Sequence, residues 1–408
     1  MAAGRDALGL RSESVRRANL SAILRELHVD GPLSRSQLVA RTGLTRSAIR
    51  GLIGELVGAD LVSESRAPSL GSPGRPSPVV RANPPQAVVL ALEVSVDSLA
   101  AAWVGLGGTV LDQVRVDRPR GHLSPSAIVR DLVRISRLSA HRKRDMPIGV
   151  GVAVVGVVRR SDGFVSVAPN LGWRDVRFGE ALAAKVPANI PVSVANEADL
   201  GALAELRRGS ARGFEDILFI SGERGVGGGV IVDGRPLTGM AGYAGEVGHL
   251  PVNPRGRTCG CGSIGCWETE VGEGALLRQA GISPDHGREA IEAVLADAEA
   301  GSATALAAVE HIGLWLGIGL AGLVNVFNPE LVVLGGLFGR IHPLVAAMIE
   351  AELDQRALQA PRTVVRVVPA SLGVDAPLRG AAELAFEPLL SDPARWLPAR
   401  EAVSAIAV

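Results

Sequence analysis

The chain has 408 residues, enough for two or three domains of roughly 100–200 residues each and for a large buried core, which excludes a small stapled scaffold. Lys+Arg and Asp+Glu both total 42, so no global field marks it as a nucleic-acid or membrane binder. The charge is unevenly placed: residues 1–82 carry twelve Arg against seven acidic residues, a net of +5, which leaves −5 for the rest, a basic head on a mildly acidic body.

Apolar residues Val15, Leu20, Ile23, Leu24 and Leu27 recur at roughly helical spacing and predict a helix over 14–30, ending before Asp30-Gly31-Pro32. Ser34 and Gln37 have capping-box spacing and open a short second helix around Leu38-Val39. Gly43 supplies a turn, Thr45 can cap a third helix, and Ile49, Leu52, Ile53, Leu56 and Val57 give that helix its buried face up to about Ala59. The segment 34–59 has the spacing of a helix-turn-helix. Its candidate DNA contacts are Arg35, Thr45, Arg46, Ser47 and Arg50, serving as base readers and phosphate clamps. Two short strands near Leu61-Val62 and Val79-Val80 then flank a wing, Gly71 to Pro76, in which Arg75 is placed to lie along a minor groove. A three-helix packing domain without a DNA role has the same pattern; the basic balance and the wing favour DNA. Asn83-Pro84-Pro85 forbids a continuing helix, so residues 83–86 read as a linker after a head spanning 1–82.

From Ala87 the apolar runs 87–97 and 99–104 predict a buried hairpin, and further strands are expected at 148–158, 192–194, 217–220, 229–232 and 331–334. Helical patterns lie at about 125–142, 178–186, 198–208, 288–298 and 303–326. This alternation implies α/β layers. The run Ile312 to Val324 is shorter than the roughly 20 residues of a bilayer span, so it reads as a buried helix. With no basic and apolar leader at the N-terminus, a cytoplasmic protein without a membrane role is expected. Gly225 to Gly229 could cradle phosphate with bare backbone N–H groups, but Glu223 just before it repels a polyphosphate.

All three cysteines fall between 259 and 266, which suits a metal better than a disulfide framework. His249, Cys259, Cys261 and Cys266 form a Cys3His set, the ligands of closed tetrahedral structural zinc sites. Four protein ligands leave no open position. The Zn2+ is therefore expected to organise its loop, fixing Glu246, Glu268 and the second ring nitrogen of His249.

The motifs Glu246-Val247-Gly248-His249 and Cys259-Gly-Cys261-Gly-Ser-Ile-Gly-Cys266-Trp-Glu268 resemble the ROK family of repressors, open reading frames and sugar kinases. Ala168 to Trp173, Asn196 to Asp199, and Asn328-Pro329-Glu330 followed by Gly335-Gly336 resemble family segments in the family order, and the head resembles that of the repressor branch. The resemblance implies a two-lobed actin/hexokinase-like α/β body behind a winged helix-turn-helix. It places a small lobe at 87–195 and a large lobe at 196–408, with the last helices returning to the small lobe. It also implies sugar binding by Asn170, Asn196, Glu197, Glu246, His249 and Glu268. For Asn196 a helix N-cap is an equally physical role.

Departures from the kinase pattern separate the branches. Where the kinases have D-x-G-G-T, this chain has Glu93-Val94-Ser95-Val96-Asp97; their G-T-G matches Glu223-Arg224-Gly225, and their catalytic Asp matches Glu197. The expectation is a regulator without catalysis, Glu197 being vestigial: a repressor of carbohydrate-use genes with a degenerate ATP site. It would bind operator DNA and a sugar effector as a homodimer or homotetramer. The alternative is a sugar kinase with an appended head.

Overall fold

The computed structural model describes residues 12–65, 77–121, 124–138 and 146–397. Helix α1 (Ser12–Asp30) buries Leu20, Ile23, Leu24 and Leu27 and leads into the short strand β1 (Leu33–Ser34). α2 (Arg35–Thr42) opens on the capping box: Gln37 N–H donates to Ser34 Oγ at 3.2 Å, and Ser34 N–H donates to Gln37 Oε1 at 2.8 Å. α3 (Arg46–Gly58) is capped by Thr45, whose Oγ1 accepts from Ala48 N–H at 3.3 Å, and it turns Ile49, Leu52, Ile53 and Leu56 inward. β2 (Val62–Ser65) and β3 (Val79–Ala82) pair antiparallel, and β1 adds to the other edge of β3. Three helices and this three-stranded sheet form the head. Residues 66–76, which include the wing expected at Gly71 to Pro76 with Arg75, lie outside the described residues.

The body begins with an antiparallel meander of β4 (Val88–Val94), β5 (Ser98–Gly105) and β6 (Thr109–Asp117). After α4 (Pro125–Ser136), β7 (Val150–Val154) joins parallel to β4. A separate small sheet of β8 (Val157–Arg159), β9 (Phe164–Ala168) and β10 (Trp173–Val176) precedes α5 (Phe178–Ala183). β11 (Val192–Asn196) completes the first sheet in the order β11-β7-β4-β5-β6, and α6 (Glu197–Arg208) follows. The plan then repeats. β12 (Ile217–Gly222), β13 (Val226–Val232) and β14 (Arg235–Pro236) form a second meander. α7 (Trp267–Val271), α8 (Glu273–Gln279), α9 (Gly287–Glu299) and α10 (Ala303–Phe327) come next. β15 (Leu331–Gly335), α11 (Gly336–Arg356), α12 (Gln359–Val364) and β16 (Arg366–Pro369) then give the matching order β14-β13-β12-β15-β16. The last of the described α-helices is α13 (Ala376–Ser391).

Two sheets of one topology, each with helices, are the two lobes of an actin/hexokinase-like fold. The helices that close the two repeats are exchanged: α6 packs on β12 and β13 of the second sheet, whereas α13 packs on β4 and β7 of the first. They cross so closely that a Cβ at Gly380 would collide with the Leu200 carbonyl oxygen. Of the described helices, α10 alone has the length and apolarity of a membrane span, and its Ile312, Leu316, Leu320 and Val324 are buried in the core shared with α11. Within the described residues, the helix expected over 125–142 stops at Ser136, and residues 139–142 lie outside them. The single strand expected over 148–158 is two, β7 and β8.

Candidate functional site

Between the lobes lies a cavity of about 360 Å³. The end of β11 and the first turn of α6 bring Asn196 and Glu197 to it, the turn after β9 brings Asn170, and the loop and helix around the cysteines bring Glu246, His249 and Glu268. Six residues from three separate segments thus line one cavity. Asn196 also caps α6: its Oδ1 accepts from Ala198 N–H at 2.7 Å and Asp199 N–H at 3.3 Å, and its Nδ2 donates to the Gly156 carbonyl at 2.9 Å. The cap fixes the amide at the cavity lining.

The acids here hold protons unusually tightly. Burial pushes Glu197 well above the ordinary carboxylate range, and the nearby Glu223, Glu93 and Asp97 push it further. Glu223 is pushed up to about 7 by burial and by Glu93, Glu273 and Asp97. Glu246 is raised by burial, with His249 working against the rise. Carboxyls poised between acid and anion can each donate to or accept from a hydroxyl, which is the chemistry that vicinal hydroxyls demand.

Sequence reasoning missed Glu223 as a cavity residue and missed what fills the first hairpin. Glu93 forms a two-pronged pair with Arg115 at 3.0 Å on each prong, and Arg115 also reaches Asp375 at 3.2 Å. Asp97 pairs with Arg120 at 3.1 Å and with Arg288 of α9 at 2.9 Å, while Arg120 meets Glu273 of α8 at 2.8 Å. These ion pairs tie the first hairpin to the second repeat. No local signal could have revealed them, because each partner comes from a distant segment. Gly225 explains itself differently from a phosphate loop: a Cβ there would stand 2.7 Å from Glu268 Oε2 and 3.8 Å from Asn170 Nδ2. The bare backbone makes room for the carboxylate.

His249, Cys259, Cys261 and Cys266 place one ligand atom each within 4.8 Å of all the others. Cys259 Sγ lies 3.7 Å from His249 Nδ1, and Cys261 Sγ lies 3.7 Å from Cys266 Sγ. A tetrahedron with metal–sulfur bonds of about 2.3 Å has edges of roughly 3.8 Å, so the donor set can hold a metal ion. The Cys261 N–H points at Cys259 Sγ at 3.4 Å, a contact that favours a thiolate. Cys259 Sγ also lies 2.7 Å from Glu268 Oε1, so the knot and the cavity wall touch.

In the head, Thr45, Arg46, Ser47 and Arg50 are exposed at the start of α3. Arg35 is not left free with them: it pairs with Glu64 of β2 at 2.5 and 2.6 Å and so braces α2 against the wing strand. Arg75 lies outside the described residues.

The sequence profile of the ROK family matches residues 89–387. The chain belongs to the ROK family. It is 29% identical to the xylose repressor of Bacillus subtilis over 385 residues, covering 92% of this chain and 97% of that one. Coverage of that extent leaves too few residues for the head to lie outside the match. Against the glucokinase of Halalkalibacterium halodurans it is 31% identical over 306 residues, covering 71% of this chain and 92% of the relative. Among solved structures, a ROK family transcriptional regulator homologous to Mlc of Escherichia coli superposes with a TM-score of 0.75 at 25% identity, covering 94% of this chain and 97% of that one.

Proposed function

We propose that this ROK protein is a sugar-responsive transcriptional repressor of carbohydrate-use genes. The observation that carries the reading is a junction: an exposed basic face at the start of α3 is joined to a body whose cavity gathers amides and carboxylates suited to hydroxyls. Arg46, Ser47 and Arg50 enter the major groove, Thr45 holds the helix start beside the phosphates, and Arg75 follows the minor groove. Arg35 acts by bracing the wing. Asn170, Asn196, Glu197, Glu246, His249 and Glu268 hold the sugar, and D-xylose is the first candidate, since a xylose repressor matches the chain nearly end to end. Zinc in the Cys3His knot keeps Glu246, His249 and Glu268 in register; it takes no part in a reaction. The sugar must bind one body conformation better than another, because equal affinity would shift nothing. A homodimer or homotetramer working in the cytoplasm would present two heads to two half-sites.

The glucokinase relative favours a second reading, an ATP-dependent sugar kinase with Glu197 as base. Against it stand Glu93 and Asp97, whose carboxylates and ion pairs occupy the hairpin where kinase glycines approach phosphate. One experiment separates the two: thermal shift of the full chain against sugars, sugar phosphates and ATP, paired with gel shift on duplexes selected from a random library. A sugar shift, no ATP shift, and operator binding that weakens in Arg46→Ala and Arg50→Ala support the repressor. ATP-dependent sugar phosphorylation lost in Glu197→Gln would overturn it.

A further inference from the structure

Helix α6 begins at the cavity and ends at the head. Its N-cap Asn196 and first residue Glu197 line the cavity. Twelve residues later, about 18 Å along the axis at 1.5 Å per residue, Arg207 and Arg208 reach a buried cluster at the end of α1. Arg208 Nε donates to Glu383 Oε1 of α13 at 2.8 Å, and its Nη1 donates to the carbonyls of His28 at 2.7 Å and Gly107 at 3.2 Å. Arg207 Nη1 reaches Glu383 Oε2 at 3.3 Å. The His28 side chain is 0% exposed and that of Glu383 only 3%. Gly107 N–H donates to His28 Nδ1 at 3.0 Å, so the ring hydrogen sits on Nε2 and points to Glu383 Oε2 at 2.9 Å. Phe386 packs against the imidazole with ring centres 4.9 Å apart.

This cluster joins three bodies. His28 belongs to the head, Gly107 to the β5–β6 turn of the first sheet, and Arg208 to a helix that rides on the second sheet. Each bond named runs between two bodies, and of the Arg208 guanidinium nitrogens only the buried Nη2 has no partner. A buried network of that kind cannot slip gradually, because breaking one partner leaves a charge uncompensated. The crossing at Gly380 and Leu200 leaves no slack between α6 and α13.

We propose that α6 is the strut that carries sugar occupancy to the DNA head, with Arg208, Glu383 and His28 as the positioning residues at its far end. The proposal rests on the sugar-responsive reading above and adds its route. A sugar engaging Asn196 and Glu197 shifts the first turn of α6. The stiff helix delivers the shift to the end of α1, and the head turns relative to the body. None of the three positioning residues touches sugar or DNA.

The test uses the full chain, an operator duplex selected in vitro, and saturating D-xylose, or the sugar singled out by the thermal-shift panel. Operator Kd is measured with and without sugar for the wild type, Glu383→Gln and Arg208→Met, and sugar Kd is measured for each. The wild type is expected to change operator affinity at least about 5-fold on adding sugar, within the usual range of coupling. Both variants are expected to keep sugar affinity within about 2-fold while that ratio falls below about 2. Hydrogen exchange needs no variant: amides of Leu24–Asp30 in the wild type are expected to change protection when sugar binds. A variant that keeps the wild-type ratio, or α1 amides unmoved while operator affinity changes, would overturn the strut and leave the repressor standing. Sugar affinity lost more than about 10-fold would also overturn it, since the cluster would then support the cavity. A wild type that binds sugar with no change in operator affinity removes the sugar-responsive reading and the strut together.

Discussion

Glu268 lies at the seam of knot and cavity: its Oε1 is 2.7 Å from Cys259 Sγ and 3.8 Å from His249 Nδ1, and its Oε2 fills the space that Gly225 leaves open. Gly225→Ala puts a methyl 2.7 Å from Glu268 Oε2, and the carboxylate is the softer of the two. The expected result is a loss of about 10-fold or more in sugar affinity by calorimetry, the scale of one charged hydrogen bond, with metal content and melting temperature near wild type. Glu223 gives a pH signature. Its folded value of about 7 stands above its ordinary value of 4.5, so the folded chain binds the extra proton and stability falls as pH rises between those values. Glu223→Gln removes that penalty, worth up to about 3 kcal/mol at 1.4 kcal/mol per unit. The variant should melt several degrees above wild type at pH 8 and close to it at pH 5; a difference independent of pH would refute the assignment.

The segment from Val247 to Val271 reaches the core at its two ends, through Val247, Trp267 and Val271, while the loop between them gathers the four donors that could hold a metal ion. Two isolated bridges, Pro251 with Cys266 and Thr258 with Ile264, are the whole of its strand pairing. A chain so poor in regular structure needs an internal tie, and the Cys3His set supplies one. Cys261→Ser is expected to bring metal content from one ion per chain to near zero in elemental analysis, and to weaken sugar binding by about an order of magnitude through Glu246, His249 and Glu268. Sugar affinity unchanged in a metal-free variant would sever the knot from the cavity. The capping box on α2 and the Thr45 cap on α3 are elements of the opposite kind, fixed within a few residues and therefore legible without the fold.

Across the whole molecule, the ion pairs of Asp97 with Arg120 and Arg288, and of Arg120 with Glu273, bridge the two repeats beside the cavity. They act as a charged clasp on the relation between lobes. Arg288 is half exposed, so its pair is screened and its loss should be modest. Arg288→Ala is expected to weaken sugar binding about 2- to 5-fold, to make that affinity less dependent on salt, and to widen the sugar-free particle in small-angle scattering. Equal salt dependence in variant and wild type would remove the clasp.

The sequence by itself determined whatever its residues decide with near neighbours. The caps at Ser34 and Thr45, the apolar stripe of α3, the spacing of the Cys3His set and the buried hairpin at 88–105 are all local, and each is where its pattern put it. β6 left a weaker trace: Val114-Arg115-Val116-Asp117 alternates, but a bulge opposite Trp103 and Val104 puts Leu111 out of step, and as an edge strand β6 is only partly covered. Tertiary structure alone decided the rest. The two repeats share a topology without sharing a recognisable sequence, since a strand order is set by which edges are free and not by side-chain identity. The exchange of α6 and α13, the clasp of Asp97, the seat of Arg35 on Glu64 and the burial of His28 against Glu383 each join residues far apart in the chain. Charge pairs carry no periodicity, so only folding brings their partners together and gives a lone carboxylate or imidazole its role.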